Sequence, residues 1–227
     1  MAHLTRHDSW GTPDLDCSRG HVFVRQDWRY EWATKPGVAP WTEDERRSYH
    51  RAVDHLVWGH WSFRARIFVA PAVPEPGTLA RDLISRYQAH GLTLSFDVRK
   101  VTGRAQWAAL VTKVDPRVRP LPQAAVWFES KRLELFSSDI VPHVASRYRG
   151  DEVRRPNFSV AAHEFGHTLG YVYSRGDGEE YNLGHPFFND LQSIMNVGRT
   201  VRPRHLRLIL ETLAKMVPGC RFTATVI

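Results

Sequence analysis

From Leu92 to Val101 apolar and polar residues alternate without a break. Leu92, Leu94, Phe96 and Val98 fall on one face, and Thr93, Ser95, Asp97 and Arg99 on the other. A period of two is that of a strand with one buried face. Thr102 and Gly103 offer a turn that brings the chain back through Gln106 to Val114. Apolar runs at Ala124 to Phe128 and Leu133 to Phe136 extend the sheet, and Arg64 to Ala70 reads as a further short strand. Elsewhere the period is helical. Thr42 and Glu45 form a capping box, each side chain answering the other residue's free N–H, and Tyr49, Val53, Leu56 and Val57 carry that helix toward Trp58. Thr78 to Ala89, stopped by Gly91, reads as a second helix. The pattern turns helical again after Asn157, and from Pro203 until Pro218 and Gly219 end it. Residues 1–41, rich in Trp, Gly and Pro and without a period, are expected to form an irregular arm on a single domain spanning 42–227. The expected fold class is α+β, a mostly antiparallel twisted sheet followed by two closing helices.

Composition adds limits. A chain of 227 residues with 42% hydrophobic side chains can bury a sizeable core. No stretch approaches the roughly 20 apolar residues of a membrane span, and the N-terminus lacks the apolar centre and small-residue cleavage site of a signal peptide. Export, if it occurs, is expected without a cleaved leader. The net charge of +7 is spread among acids. Arg117 with Arg119, Arg154 with Arg155, and Arg202, Arg204 and Arg207 form small basic clusters, but the eight Trp do not interleave with them as a nucleic-acid stacking platform requires. Nucleic acid is therefore not the expected partner. Cys17 and Cys220 allow either one disulfide or two free thiols.

The chemistry concentrates in NFSVAAHEFGHTLG, where His163, Glu164 and His167 stand in the spacing H-E-x-x-H. Residues four apart share one helix face, so both imidazoles can reach one zinc ion while Glu164 lies beside the open coordination position as general base. Zinc acidifies water and polarises a carbonyl, and a carboxylate alongside can move the proton to a leaving amine. Val160, Ala161, Ala162, Phe165 and Leu169 give the segment an apolar buried side.

Downstream lie SIMNVG, Ser193 to Gly198, and then TVRPRHL. His163 to Gly170 resembles the HExxHxxG start of the metzincin peptidases, and Ser193, Ile194 and Met195 resemble their Met-turn, which packs beneath the metal. More narrowly, HEFGHTLG with SIMNVG and VRPRHL resembles the metallopeptidase toxin domains of bacterial type VI secretion effectors, including those fused to spike proteins. The resemblance covers about the last 70 residues. It implies a zincin-like fold, one catalytic Zn2+, and a protein or peptide substrate. It also implies a spike protein and a cognate immunity protein as partners, and action as a secreted antibacterial toxin in the periplasm of a target cell.

The metzincin third ligand falls six residues after the second histidine, where this chain has Tyr173. The resemblance to the secreted effectors points instead to Glu211 in LILETL, although the apolar face Leu206, Ile209, Leu210 and Leu213 leaves Glu211 on the polar side of its helix. GDGEEY reads as a lengthened form of a GLxDEY-like loop and nominates Glu179, with Asp177 behind it; His185 qualifies by chemistry. His205 and Tyr181 are of the types that hydrogen-bond a tetrahedral oxyanion. The run Leu133 to Phe136 is a candidate edge strand for main-chain pairing with an extended substrate. Two other functions stay open: a zinc amidase acting on peptidoglycan, and a non-catalytic basic domain that binds nucleic acid or a partner.

Overall fold

The structure is a computed structural model. It describes residues 2–117, 120, 122–144, 147–149, 152–154 and 157–227, with the backbone alone for 143–144, 147–149, 152–154 and 157. The large sheet contains β1 (His3–Thr5), β2 (Thr12–Asp16), β3 (His21–Thr34), β4 (Ala65–Pro71), β5 (Leu92–Lys100), β6 (Trp107–Lys113), β7 (Ala125–Trp127), β8 (Arg132–Phe136) and, from the end of the chain, β13 (Cys220–Val226). Between the strands of its first half lie α1 (Glu43–Trp61) and α2 (Thr78–Tyr87). Two short ribbons follow: β9 (His143–Val144) with β12 (Asn157–Phe158), and β10 (Arg147–Arg149) with β11 (Glu152–Arg154). The helices α3 (Val160–Thr168) and α4 (Arg207–Met216) complete an α+β fold.

Side chains close both of the helix starts that matter most here. Thr42 and Glu45 make the reciprocal capping box of α1, and the Ser159 hydroxyl accepts the Ala162 N–H at the start of α3. The chain leaves α2 through Gly91, whose φ of 67° suits a residue without Cβ. In β5 the residues Leu92, Leu94, Phe96 and Val98 are buried as the alternation requires. Beyond the end of its pairing with β4, side chains of α1 and its C-cap take over β5's free N–H groups: Ser62 Oγ accepts from Phe96 and Asp54 Oδ1 from Val98.

Three expectations change. The first is the arm: residues 1–41 are not irregular, because β3 stands at the middle of the sheet order β13-β4-β5-β3-β6-β8-β7, with the β1–β2 hairpin attached to it. Its inward row is Val22, Val24, Gln26 and Trp28, all fully buried, and the glutamine breaks the apolar period. Gln26 is there because it bonds to α3. Its Oε1 accepts from Thr168 Oγ1 at 2.9 Å and from Trp28 Nε1 at 3.0 Å.

The second is the reversal at Thr102–Gly103. Pairings in the sheet are mostly antiparallel, but β5, β3, β6 and β8 at its centre run parallel. The chain crosses from one edge of β3 to the other: Val101 N–H bonds Trp28 O, and Gln106 N–H bonds Asp27 O. The third is the edge. β8, which holds Leu133 to Phe136, lies between β6 and β7, so the three-residue β7 is the border strand. The Pro218–Gly219 stop leads into β13, a strand that the apolar pattern does not announce; it pairs with β4 along its whole length.

Cys17 and Cys220 are buried free thiols whose pKa values burial raises. Among the described residues no helix is long and apolar enough to cross a membrane.

Trp28→Ala is expected to destabilise the protein by about 3–5 kcal/mol, the usual range for emptying a buried aromatic site. Urea unfolding measures it; a change under about 1 kcal/mol would return residues 1–41 to the status of a surface arm.

Candidate metal centre

α3 is a short helix buried on nearly every side, and its placement comes from neighbours more than from its own propensity. Trp61 at the end of α1 donates its indole N–H to Ala162 O at 2.8 Å and packs edge-on against Phe165. At the other end Thr168 is tied to Gln26 of β3. Met195 lies beneath the helix, fully buried, with its sulfur against Gly166. A Cβ on Gly166 would stand 2.9 Å from the Trp61 ring and nearer still to the Met195 sulfur, so glycine is what lets the turn close under the helix.

His163 and His167 are both buried. His163 Nδ1 donates to Ile194 O at 2.8 Å, and His167 Nδ1 donates to Tyr171 O at 2.6 Å. A carbonyl can only accept, so each Nδ1 carries a proton and each Nε2 faces inward, able to bind a metal ion once it carries no proton of its own. The two Nε2 atoms are 3.2 Å apart. Glu179 reaches the same point, with Oε2 2.9 Å from His163 Nε2 and Oε1 3.0 Å from His167 Nε2. Two ligands of a tetrahedral zinc, each about 2.0–2.1 Å from the ion, stand about 3.3 Å apart, so small outward movements would admit the ion. His163, His167 and Glu179 form the metal-competent group among the described residues.

A proton on the imidazoles balances the Glu179 carboxylate, and a metal ion bound there would displace it. Burial works to raise the Glu179 carboxyl, but the two imidazoles outweigh it and hold the acid well below the usual carboxylate range. Burial works to lower His167, but Glu179, with help from Glu164, lifts it to about 9. Glu164 is buried beside the group. Desolvation raises its pKa against the pull of His167 and His163. Tyr181, half-exposed, lies over the His163 ring at 6.0 Å and hydrogen-bonds Glu179.

The remaining candidates stand elsewhere. Glu211 does not stand with the two histidines. It is half-exposed and paired with Arg175 at 2.8 Å, as its position on the polar face of α4 dictates. Asp177 pairs with Arg207 at 2.6 Å. His185 Nδ1 accepts the Phe187 N–H, and Tyr173 is exposed and bonded to Asn182. His205 is no oxyanion donor, since both ring nitrogens are engaged inside the protein: Nδ1 with the Arg202 N–H, Nε2 with Glu180 and Ser193. Of the basic clusters, Arg202, Arg204 and Arg207 are each paired with acids, Arg117 pairs with Asp115, and Arg119 and Arg155 lie outside the described residues.

Sequence reasoning missed Tyr171, Glu180, Asp190 and Arg204, the charged and polar network behind Glu179. The doubled acid in GDGEEY and the arginines of VRPRH were the available signals, but nothing in a sequence marks a charge as buried. Asp139 was also missed. It is buried near the start of α3, and burial, with Glu164 adding to it, pushes its carboxyl up to about 7.

Compared with known proteins, the chain matches no protein family, no curated protein and no solved structure.

Two outcomes follow from this geometry. Gly166→Ala should destabilise by about 1–3 kcal/mol through overpacking, read from thermal or urea unfolding; an unchanged stability would remove the close approach of Met195. The second concerns pH. Asp139 has a folded pKa of about 7, above its unfolded value of about 4, so between those limits the unfolded chain has released a proton that the folded chain still holds. Stability is therefore lost as pH rises from about 4 to about 7, and the loss levels off above that. Relative to the native chain, Asp139→Asn should gain stability across this window at up to about 1.4 kcal/mol per pH unit and hold the gain at higher pH. A difference between the two proteins that does not change with pH would contradict this.

Proposed function

We propose that the protein is a zinc-dependent endopeptidase, with His163, His167 and Glu179 as metal ligands and Glu164 as general base. The observation that carries the reading is the meeting of three lone-pair donors. Two Nε2 atoms, aimed by the Nδ1 bonds to carbonyls, face each other and a carboxylate across about 3 Å, so a metal ion entering the group would replace the proton that balances the carboxylate.

Bound zinc would acidify water toward a pKa of about 7 and polarise the scissile carbonyl. The chain's own groups do the rest. Glu164, raised by burial, takes the proton of the attacking water as the new C–O bond forms. It then passes that proton to the amide nitrogen as the C–N bond breaks. Tyr181 keeps its hydroxyl proton, because burial and the carboxylates of Glu179 and Glu164 raise its pKa, and it gives that proton's hydrogen bond to Glu179, steadying the carboxylate of the group. β7 packs against α3 at the border of the sheet and can pair with an extended substrate through its main chain. The resemblance of the last 70 residues to secreted effector domains supports a toxin delivered into the periplasm of a rival bacterium, with an immunity protein as its partner.

Glu164→Gln should keep one zinc per chain and lose at least about 10³-fold in the rate of hydrolysis of an unfolded protein, and a chelator should abolish the native activity. Unimpaired hydrolysis by Glu164→Gln contradicts the assignment. Cleavage of peptidoglycan fragments with unfolded protein left intact would move the reading to an amidase at the same centre.

A further inference from the structure

Next to the ligand carboxylate stands a second one that faces the other way. Glu180 is fully buried and takes hydrogen bonds from Tyr171 Oη at 2.6 Å, Arg204 at 2.7 and 3.0 Å, and His205 Nε2 at 3.2 Å. Its backbone is held as well: its N–H donates to Met195 O at 3.1 Å, and its carbonyl accepts from Asn196 Nδ2 at 3.4 Å. Burial pushes His205 to about 4 against the pull of Glu180, so the ring is neutral; Nδ1 accepts from Arg202, and Nε2–H points to the carboxylate. Arg204 also reaches Asp190, which Arg202 grips with two bonds.

The partners of Glu180 are the same pieces that aim the ligands. Tyr171 offers its carbonyl to His167 and its hydroxyl to Glu180. Ile194, whose carbonyl aims His163, precedes the Met195 that accepts the Glu180 N–H. The loop leading in needs such an anchor. Gly176 and Gly178 have φ of 82° and 135°, and a Cβ on Gly178 would press to 2.5 Å from the Tyr173 ring. A chain so free in its backbone does not present one carboxylate to two imidazoles unless it is tied down close by.

We propose that Glu180 is the positioning residue of this centre: clamped by Tyr171, Arg204 and His205, it fixes the adjacent Glu179 as the third ligand. The proposal rests on the zinc reading above. A buried ion pair is a poor source of stability compared with packed apolar groups, but it specifies one arrangement, which is the need here.

The experiment uses the full chain, native and Glu180→Gln. It measures zinc affinity by competition with a chromophoric chelator and the visible spectrum after loading with cobalt(II). Glu180→Gln keeps the shape but loses the charge facing Arg204. It should weaken zinc by about 10–100-fold and replace the intense four-coordinate cobalt spectrum with a weaker one of higher coordination. Tyr171→Phe, which leaves the carbonyl on His167 in place, should lose a few-fold. Native affinity and a native cobalt spectrum in Glu180→Gln overturn the proposal while leaving the metal centre standing. Should Glu180→Gln not fold, Tyr171→Phe decides by the same readouts. A native chain that binds no zinc overturns the zinc reading itself.

Discussion

An imidazole that donates from Nδ1 to a carbonyl must turn Nε2 to the opposite side, and two carbonyls impose that orientation here. Ile194 O and Tyr171 O hold Nδ1 of His163 and His167 outward, so both Nε2 atoms converge on Glu179, where a proton or a metal ion must balance the carboxylate. Glu179 brings negative charge to the same point and so favours a cation there, whether a proton on an imidazole or a metal ion. The lifted pKa of His167 and the depressed pKa of Glu179 are two faces of that constraint.

The fold serves the constraint by fixing a short helix from three sides. Gln26 on the central strand bonds the end of α3, Trp61 bonds its start, and Met195 packs against Gly166 below. None of these contacts touches the Nε2 atoms of the two histidines. Together they hold the two histidines on one face at a spacing that the helix alone would not secure, because nine residues are too few for independent helical stability. The turn after Ser193 then does two tasks. It supplies the carbonyl for His163 and, through Met195 O, a bond to the backbone of Glu180.

Local rules reach the helix capping box, the alternation in β5 and the H-E-x-x-H face, because each depends on residues within one turn or one strand. They fail where a distant partner overrides the local period. Gln26 interrupts the apolar row of β3 because it answers Thr168, 142 residues away, and that single polar residue helps hide the central strand. Thr102 and Gly103 look like a hairpin, yet β3 occupies the place between the strands they join. The carboxylate that joins the two histidines illustrates the same limit. Glu179 and Glu211 are chemically alike, and only tertiary structure shows one facing two imidazoles and the other facing Arg175. Polarity on the α4 wheel points the right way for Glu211; the resemblance to the secreted effectors points elsewhere.

The most direct measurement is anomalous X-ray diffraction at the zinc edge from crystals of the zinc-loaded protein. One zinc per chain is expected at the meeting point of His163 Nε2, His167 Nε2 and a Glu179 carboxylate oxygen. Zinc bound with Glu179 turned away, bound through Glu211, or absent from the two histidines would contradict it.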